Sequence, residues 1–408
     1  MKVLPRYLIL MTMLMGLVLA GCDVGVNSNG DDPPTPVAIT STPSSGSTAE
    51  EDPSPSLEAT EAPSPTVDVD DDASPTSDSD ATPTDVAGNG TATEPTPGES
   101  GAETETRAEI EAIEQDVVDL RGLDLLDDLD EEIIDRQELA RRVQEIIEEE
   151  YSPEEARVDA LTFWLLRLIP DRSLDLYQLQ IDLLSEQVAG FYDPETAELV
   201  VVTNDGSLTV TDKVTMAHEI VHALQDQHFD LIAIDDFAVD SDHEAAITAL
   251  IEGDATLGMT DYMLGYLDPL DLAALLGESL TEADTAVLDA APAYISEGLL
   301  FSYDAGQTFA TALHDEGGYG AIDEAFDDPP ASTEQILHPE KYIGPDVDRP
   351  MMVENPDISD DLGSGWELLR GDVLGEWDLK IMLEDNGVGS GQAAAAAEGW
   401  GGSWFGYS

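Results

Sequence analysis

Two histidines and a glutamate in the stretch His218-Glu219-Ile220-Val221-His222 carry the clearest chemistry in this chain. They read H-E-x-x-H, and the chemistry needs that spacing. On an α-helix, residues four apart lie about 40° apart in projection and about 6 Å apart along the axis, so both imidazoles can reach one ion. Zn2+ is the ion such a pair suits, and Glu219 then projects to where a carboxylate can take a proton from an attacking water. The flanks predict a helix. Thr211 or Asp212 caps its start, and Val214, Ala217, Ile220, Val221 and Leu224 fall three and four apart as a buried stripe. The metal-binding face lies beside that stripe.

Two histidines cannot hold a catalytic zinc alone, because a third protein ligand and one open position are needed. Two residues compete for the role. His228 lies six residues after His222, the offset of the longer pattern H-E-x-x-H-x-x-G-x-x-H. That pattern needs a glycine that breaks the helix, and Gln225 stands there. If the helix continues, His228 lies about 9 Å further along the axis and far around the cylinder. A metzincin-like site using His228 is therefore the alternative enzyme reading. The other competitor is Glu252, on a second apolar-periodic segment from about His243 to Leu264, where Glu244 is a rival for the same role.

At Glu252 the sequence resembles the gluzincins, zinc peptidases that pair H-E-x-x-H with a glutamate from a following helix. More narrowly, it is similar to a group of uncharacterised bacterial lipoproteins with metallopeptidase-type domains. The shared stretches are 187–194 (QVAGFYDP), 222–227 (HALQDQ), 252–254 (EGD), 332–342 (STEQILHPEKY) and 374–377 (LGEW). The resemblance runs from about Arg107 to the C-terminus. It implies a zincin-like fold, His218, His222 and Glu252 as zinc ligands, and Glu219 as general base. Gluzincin-like enzymes place a His or Tyr from a distal segment opposite the zinc. That implies His338 as donor to a developing oxyanion, then Tyr342, then Tyr262 or Tyr266. Asp226, one turn after His222, or Asp254 can accept a hydrogen bond from a ligand imidazole. His243 and His314 have no motif around them and read as structural.

The elements that must position these residues occupy only the later part of the chain. Residues 1–22 have a basic start (Lys2, Arg6), a short apolar run and the ending Leu19-Ala20-Gly21-Cys22, which reads as a secretory signal and resembles a lipobox. Cys22 is the one cysteine, so no intrachain disulfide can form. Lipidated there, the protein is expected at the membrane through its anchor, extracytoplasmic in the cell envelope. Residues 23–106 hold half of the protein's 24 prolines with many Ser, Thr, Asp and Glu and no aromatic residue. Such a segment buries too little apolar surface to offset ordering entropy, and it reads as a disordered acidic tether reaching roughly 50 Å.

Residues 107–188 read as a helical N-terminal region, with Ile133 and Ile134 among its helical positions, and 189–408 as the zincin-like metallopeptidase domain. Phe191-Tyr192 and Leu199 to Thr203 predict a β-hairpin whose edge strand can align an extended peptide. Beyond Glu252 the chain reads as helical to about Phe326, loop-rich from Asp327 to Gly365, and helical again near Val373 to Glu384. The whole is α+β, helix-dominated with a small sheet.

The charge excludes some partners. There are 88 acids against 15 Lys and Arg, a net of −73, and Lys213 is the one base between Val201 and Leu300. Nothing offers a basic patch for phosphates, so nucleic acid is not expected as a partner; a peptide or protein substrate is. An acidic surface of this density suits high external salt, which screens self-repulsion, or a cleft selecting basic peptides. The rival from another class is a non-catalytic envelope lipoprotein that keeps the fold for binding or scaffolding. An intact Glu219 speaks against it, since binding needs no general base.

Overall fold

In the computed structural model, residues 101–407 are described, other than 189, 204–205, 280–284, 346, 352–362, 364 and 367. The signal segment, Cys22 and the tether up to residue 100 lie outside them. The fold begins earlier than the tether's expected end. Helix α1 (Gly101–Arg121) takes in residues 101–106, and Thr106 is buried, its hydroxyl donating to the Gly206 carbonyl.

A three-stranded sheet follows from one apolar run. Strand β3 (Glu198–Val202) lies between β1 (Asp130–Ile134), which pairs with it in parallel, and β2 (Gly190–Asp193), which pairs antiparallel with Phe191 opposite Val200. The expected hairpin is therefore present, but Ile133 and Ile134 belong to a strand and not to a helix. Their alternation explains why. Ile134, Val200, Val202 and Phe191 face one core, while Ile133, Leu199, Val201 and Tyr192 face another. A central strand buried on both faces reads as a continuous apolar run.

Helices α2 (Arg136–Glu150), α3 (Pro153–Leu165) and α4 (Leu176–Gln187) cover the first face. Helix α5 (Val210–Phe229) and α1 cover the second. Helix α5 is capped by Thr209, two residues before Thr211 and three before Asp212. Thr209 accepts from the Asp212 N–H and Asp212 accepts from the Thr209 N–H, a reciprocal box that satisfies two otherwise orphaned donors. The chain continues through α6 (Leu231–Asp236) into α7 (Ser241–Tyr266), then α8 (Pro269–Ser279), α9 (Ala286–Ala290), α10 (Ala293–Gly317) and α11 (Tyr319–Asp327).

Helix α12 (Thr333–Leu337) interrupts the stretch expected to be loop. Strand β4 (Arg370–Leu374) occupies Val373 and Leu374, where a helix was expected, and the helix α13 (Glu376–Asp385) starts only after it. After α14 (Ser390–Ala397), β5 (Ser403–Tyr407) pairs antiparallel with β4. The described residues are thus helix-dominated with small sheets, an α+β architecture. No described helix is long and apolar enough to cross a membrane.

Carboxylates are buried as well as apolar groups. Asp242 accepts from both the Thr333 N–H, at 3.1 Å, and the Thr333 hydroxyl, at 2.5 Å, and burial pushes its carboxyl up to about 7. A folded state that raises a carboxyl pKa binds more protons than the unfolded state between the two values. Stability then falls as pH rises from about 4 to about 7. Asp242→Asn keeps an acceptor for Thr333 without the charge. It should raise the thermal midpoint at pH 8 and leave that at pH 4 nearly unchanged, in scans with excess chelator. An equal change at both pH values would show that Asp242 folds ionised.

Candidate metal centre

Helix α5 is buried on every side from Val214 to Gln225, so the expected stripe and the histidine face are both inside. The i,i+4 spacing brings the His218 and His222 rings to 4.6 Å between centroids, nearly perpendicular, with Nε2 atoms 3.0 Å apart. Helix α7 delivers Glu252 to the same point, its Oε2 3.3 Å from His218 Nε2 and 3.6 Å from His222 Nε2. Two glycines of α7, Gly253 next to Glu252 and Gly258 further along the helix, set that approach. A Cβ on Gly258 would meet the Val221 side chain of α5 at 2.9 Å, and one on Gly253 would meet the Gly306 carbonyl oxygen of α10 at 2.2 Å. Side chains there would push α7 away from both neighbours.

The three residues fit a cation. A zinc ion about 2.0–2.1 Å from its ligands in a tetrahedron spaces neighbouring donor atoms about 3.3 Å apart, close to the distances here. Glu252 is buried and neither of its oxygens receives a hydrogen bond, an expensive arrangement for a carboxylate unless a cation faces it. Burial raises the Glu252 carboxyl, but the His222 and His218 imidazoles more than offset this and hold it below its ordinary range. Burial lowers His218, which favours the neutral form that ligates. It also opposes charge on His222, yet the Glu252 carboxylate lifts that imidazole to about 9. Among the described residues, His218, His222 and Glu252 are a buried group that could hold a metal ion.

Glu219 is fully buried beside the pair, and its Oε2 accepts from the Tyr192 N–H of β2 at 2.9 Å. Strand β2 is an edge strand, as expected, but at Tyr192 its outward donor is already used. His228 lies on the unbroken end of α5, where its Nε2 is 2.7 Å from the Asp124 carbonyl, away from the trio. Glu244 lies two turns before Glu252 on α7.

The expected oxyanion donors have other partners. His338 Nε2 is 2.7 Å from Glu376 Oε1, and the Tyr342 hydroxyl donates to the Asp328 carbonyl. Tyr262 and Tyr266 stack on each other, and Tyr262 faces the core around α1. Tyr303 of α10, not singled out in the sequence, is the tyrosine whose ring lies against His218, 6.1 Å between centroids and roughly parallel. His243 packs on Phe237 and His314 on Tyr319, consistent with structural roles.

Behind His222 the partner is also unexpected. Its Nδ1 faces the Gln225 side-chain oxygen at 2.8 Å, and Gln225 Nε2 donates to Asp254 Oδ2 at 2.8 Å. Asp254 thus lies one link further out than expected, and Asp226 instead accepts from the Tyr192 hydroxyl. Gln225 could be marked in the sequence only as the residue where a glycine was missing.

Tyr303 also lines a cavity of about 160 Å³ between α3, α4, α7, α10 and α13. Its walls include Phe163, Leu179, Tyr294, Leu299 and Trp377. Three acids line it, Asp159, Glu244 and Asp378. Asp378 accepts from the Tyr294 hydroxyl and the Gly375 N–H, and Asp159 from the Tyr151 hydroxyl while pairing with Arg370. Compared with protein-family models, with curated proteins and with solved structures, the chain matches none.

Proposed function

We propose that this protein is a zinc-dependent peptidase with a gluzincin-type site in a zincin-like domain, held outside the cytoplasm by a lipid on Cys22. The observation that carries the reading is the meeting of the H-E-x-x-H pair with Glu252 in one buried trio whose spacing suits a tetrahedral ion. Two imidazoles and one carboxylate favour zinc over calcium or magnesium, which prefer all-oxygen sites. Zinc, when bound there, supplies Lewis acidity toward a water and a peptide carbonyl.

The remaining work falls to side chains. Glu219, oriented by the Tyr192 N–H, takes a proton from the attacking water and delivers it to the departing amine. Tyr303, against His218, is the residue best situated to donate to the developing oxyanion, the part the sequence suggested for His338 or Tyr342. The cavity beyond Tyr303 takes one apolar substrate side chain. An apolar cavity of roughly 150 Å³ accommodates a benzene ring, and two of the acids along this one, Asp378 and Asp159, are occupied by internal partners.

The test is cleavage of a peptide library by the zinc-loaded soluble part, from residue 101 on, across salt concentrations. Cuts should be flanked on one side by Phe-, Leu- or Met-sized residues. Ala245 lines the cavity, and Ala245→Leu should shift the preference toward Ala and Ser by at least about tenfold, the selectivity of a few methylenes. No cleavage at full zinc load would favour a binding or scaffolding lipoprotein. Cleavage without side-chain preference would remove only the cavity's assigned role.

A further inference from the structure

We infer that Arg121, the last residue of α1, is a positioning residue that fixes the tautomer of His222 through two intervening side chains. The inference rests on the metal-binding reading of the trio. Arg121 is an unusual base in so acidic a chain, since its side chain is fully buried. A buried guanidinium requires close partners, and it has them. Its Nε lies 2.9 Å from Asp254 Oδ1 and its Nη2 3.1 Å from Asp254 Oδ2, a forked grip on one carboxylate. The same Nη2 is 2.6 Å from Asp323, and the guanidinium stands 4.7 Å over the Tyr319 ring. Asp254 is as buried as Arg121, so neither charge has water to turn to.

The fixed carboxylate then decides which way an amide points. Gln225 Nε2 donates to two acceptors, the Ile251 carbonyl at 3.0 Å and Asp254 Oδ2 at 2.8 Å. With both amide hydrogens used, the Gln225 oxygen must face His222, whose Nδ1 is 2.8 Å away. An oxygen there accepts only, so Nδ1 carries the hydrogen and the lone pair is on Nε2. Nε2 is the atom that faces His218 and Glu252. A flipped amide would present a donor to Nδ1 and put the hydrogen on the wrong nitrogen for ligation. Arg121 holds Asp254, Asp254 selects the Gln225 orientation, and Gln225 selects the tautomer. The helix that follows the tether thereby takes part in the site through Asp254, 133 residues away.

The test is zinc affinity by chelator competition, below the thermal transition of each variant, on the soluble part from residue 101 on. Gln225→Leu should weaken zinc by 10–100-fold, the usual range for loss of such a partner. Arg121→Lys, which keeps the charge but not the fork, should weaken it by about tenfold. The double variant should be little worse than Gln225→Leu alone, because both act along one path. Nitrogen NMR of the zinc-free protein at pH 10, above the range in which His222 carries a second proton, should show the hydrogen on His222 Nδ1 in wild type and a tautomer mixture in both single variants.

Val143→Ala, in the core of α2–α4, is the control for general destabilisation and should keep wild-type affinity. If Arg121→Lys does not fold, Asp323→Asn loosens Arg121 from a partly exposed side and should still weaken zinc several-fold. Unchanged affinity in Arg121→Lys or Asp323→Asn, multiplying effects in the double variant, or an unchanged tautomer would overturn the inference while leaving the metal site standing. Absence of zinc binding in wild type would overturn both.

Discussion

His218→Ala should abolish stoichiometric zinc binding and, with it, the whole zinc-dependent part of the protein's thermal stability. On the proposed reading zinc binds at a trio formed only in the folded state, so zinc at about a thousand times its Kd would add about 4 kcal/mol of stability. That corresponds to a midpoint rise on the order of 10 °C for a domain of this size. His218 supplies one of the three donor atoms, and Ala supplies none. The variant's own midpoint can fall because a buried ring is lost, so the quantity to compare is the difference with and without zinc. Glu252→Gln should reduce the increment sharply, since an amide oxygen is a weaker donor with no charge to offset the ion. His228→Ala should keep it in full, because that imidazole is occupied with the Asp124 carbonyl. A full zinc increment in His218→Ala, or its loss in His228→Ala, would remove the trio as the metal site.

The histidine pair was legible from spacing alone because residues four apart are neighbours on one helix face. The third residue was not legible that way. Nothing local in Glu252 tells it from Glu244 on the same helix, and the resemblance to gluzincins selected it. What separates the two in space is the pair of close helix approaches at Gly253 and Gly258, a property of three helices together. The hairpin was legible because β3 is a continuous apolar run next to a turn. Strand β1 was not, since its acidic residues and short length hide its two apolar positions, and the parallel partner that organises them lies far along the chain.

The tyrosine and arginine that the sequence did not offer share one cause. Tyr303 and Arg121 sit on helices with no motif around them, and they reach the site only through packing. A buried arginine is rare enough that any sequence reading places it at the surface. His338 stands in the opposite position. It was marked by the recognisable stretch around it, and the structure adds what no local pattern could, that its Nε2 meets Glu376 at the start of α13.

Glu219→Gln separates an enzyme from a scaffold. The amide keeps the size of the side chain, and its oxygen can still accept from the Tyr192 N–H, so the helix and the neighbouring trio stay in place. Zinc affinity should remain within a few-fold of wild type. Turnover should not. An amide cannot take a proton from the attacking water or pass one to the leaving amine, so peptide-bond hydrolysis should fall by at least about 10²-fold, the lower end for loss of a general acid–base group. The measurement is cleavage of an unfolded protein by wild type and variant at equal zinc occupancy. Salt must be varied, because a chain with a net charge of −73 gains stability when its self-repulsion is screened. Equal turnover in the two proteins would mean that the chemistry does not pass through Glu219. Equal zinc with no turnover in either would leave a metal-binding protein whose buried glutamate serves only to tie α5 to β2.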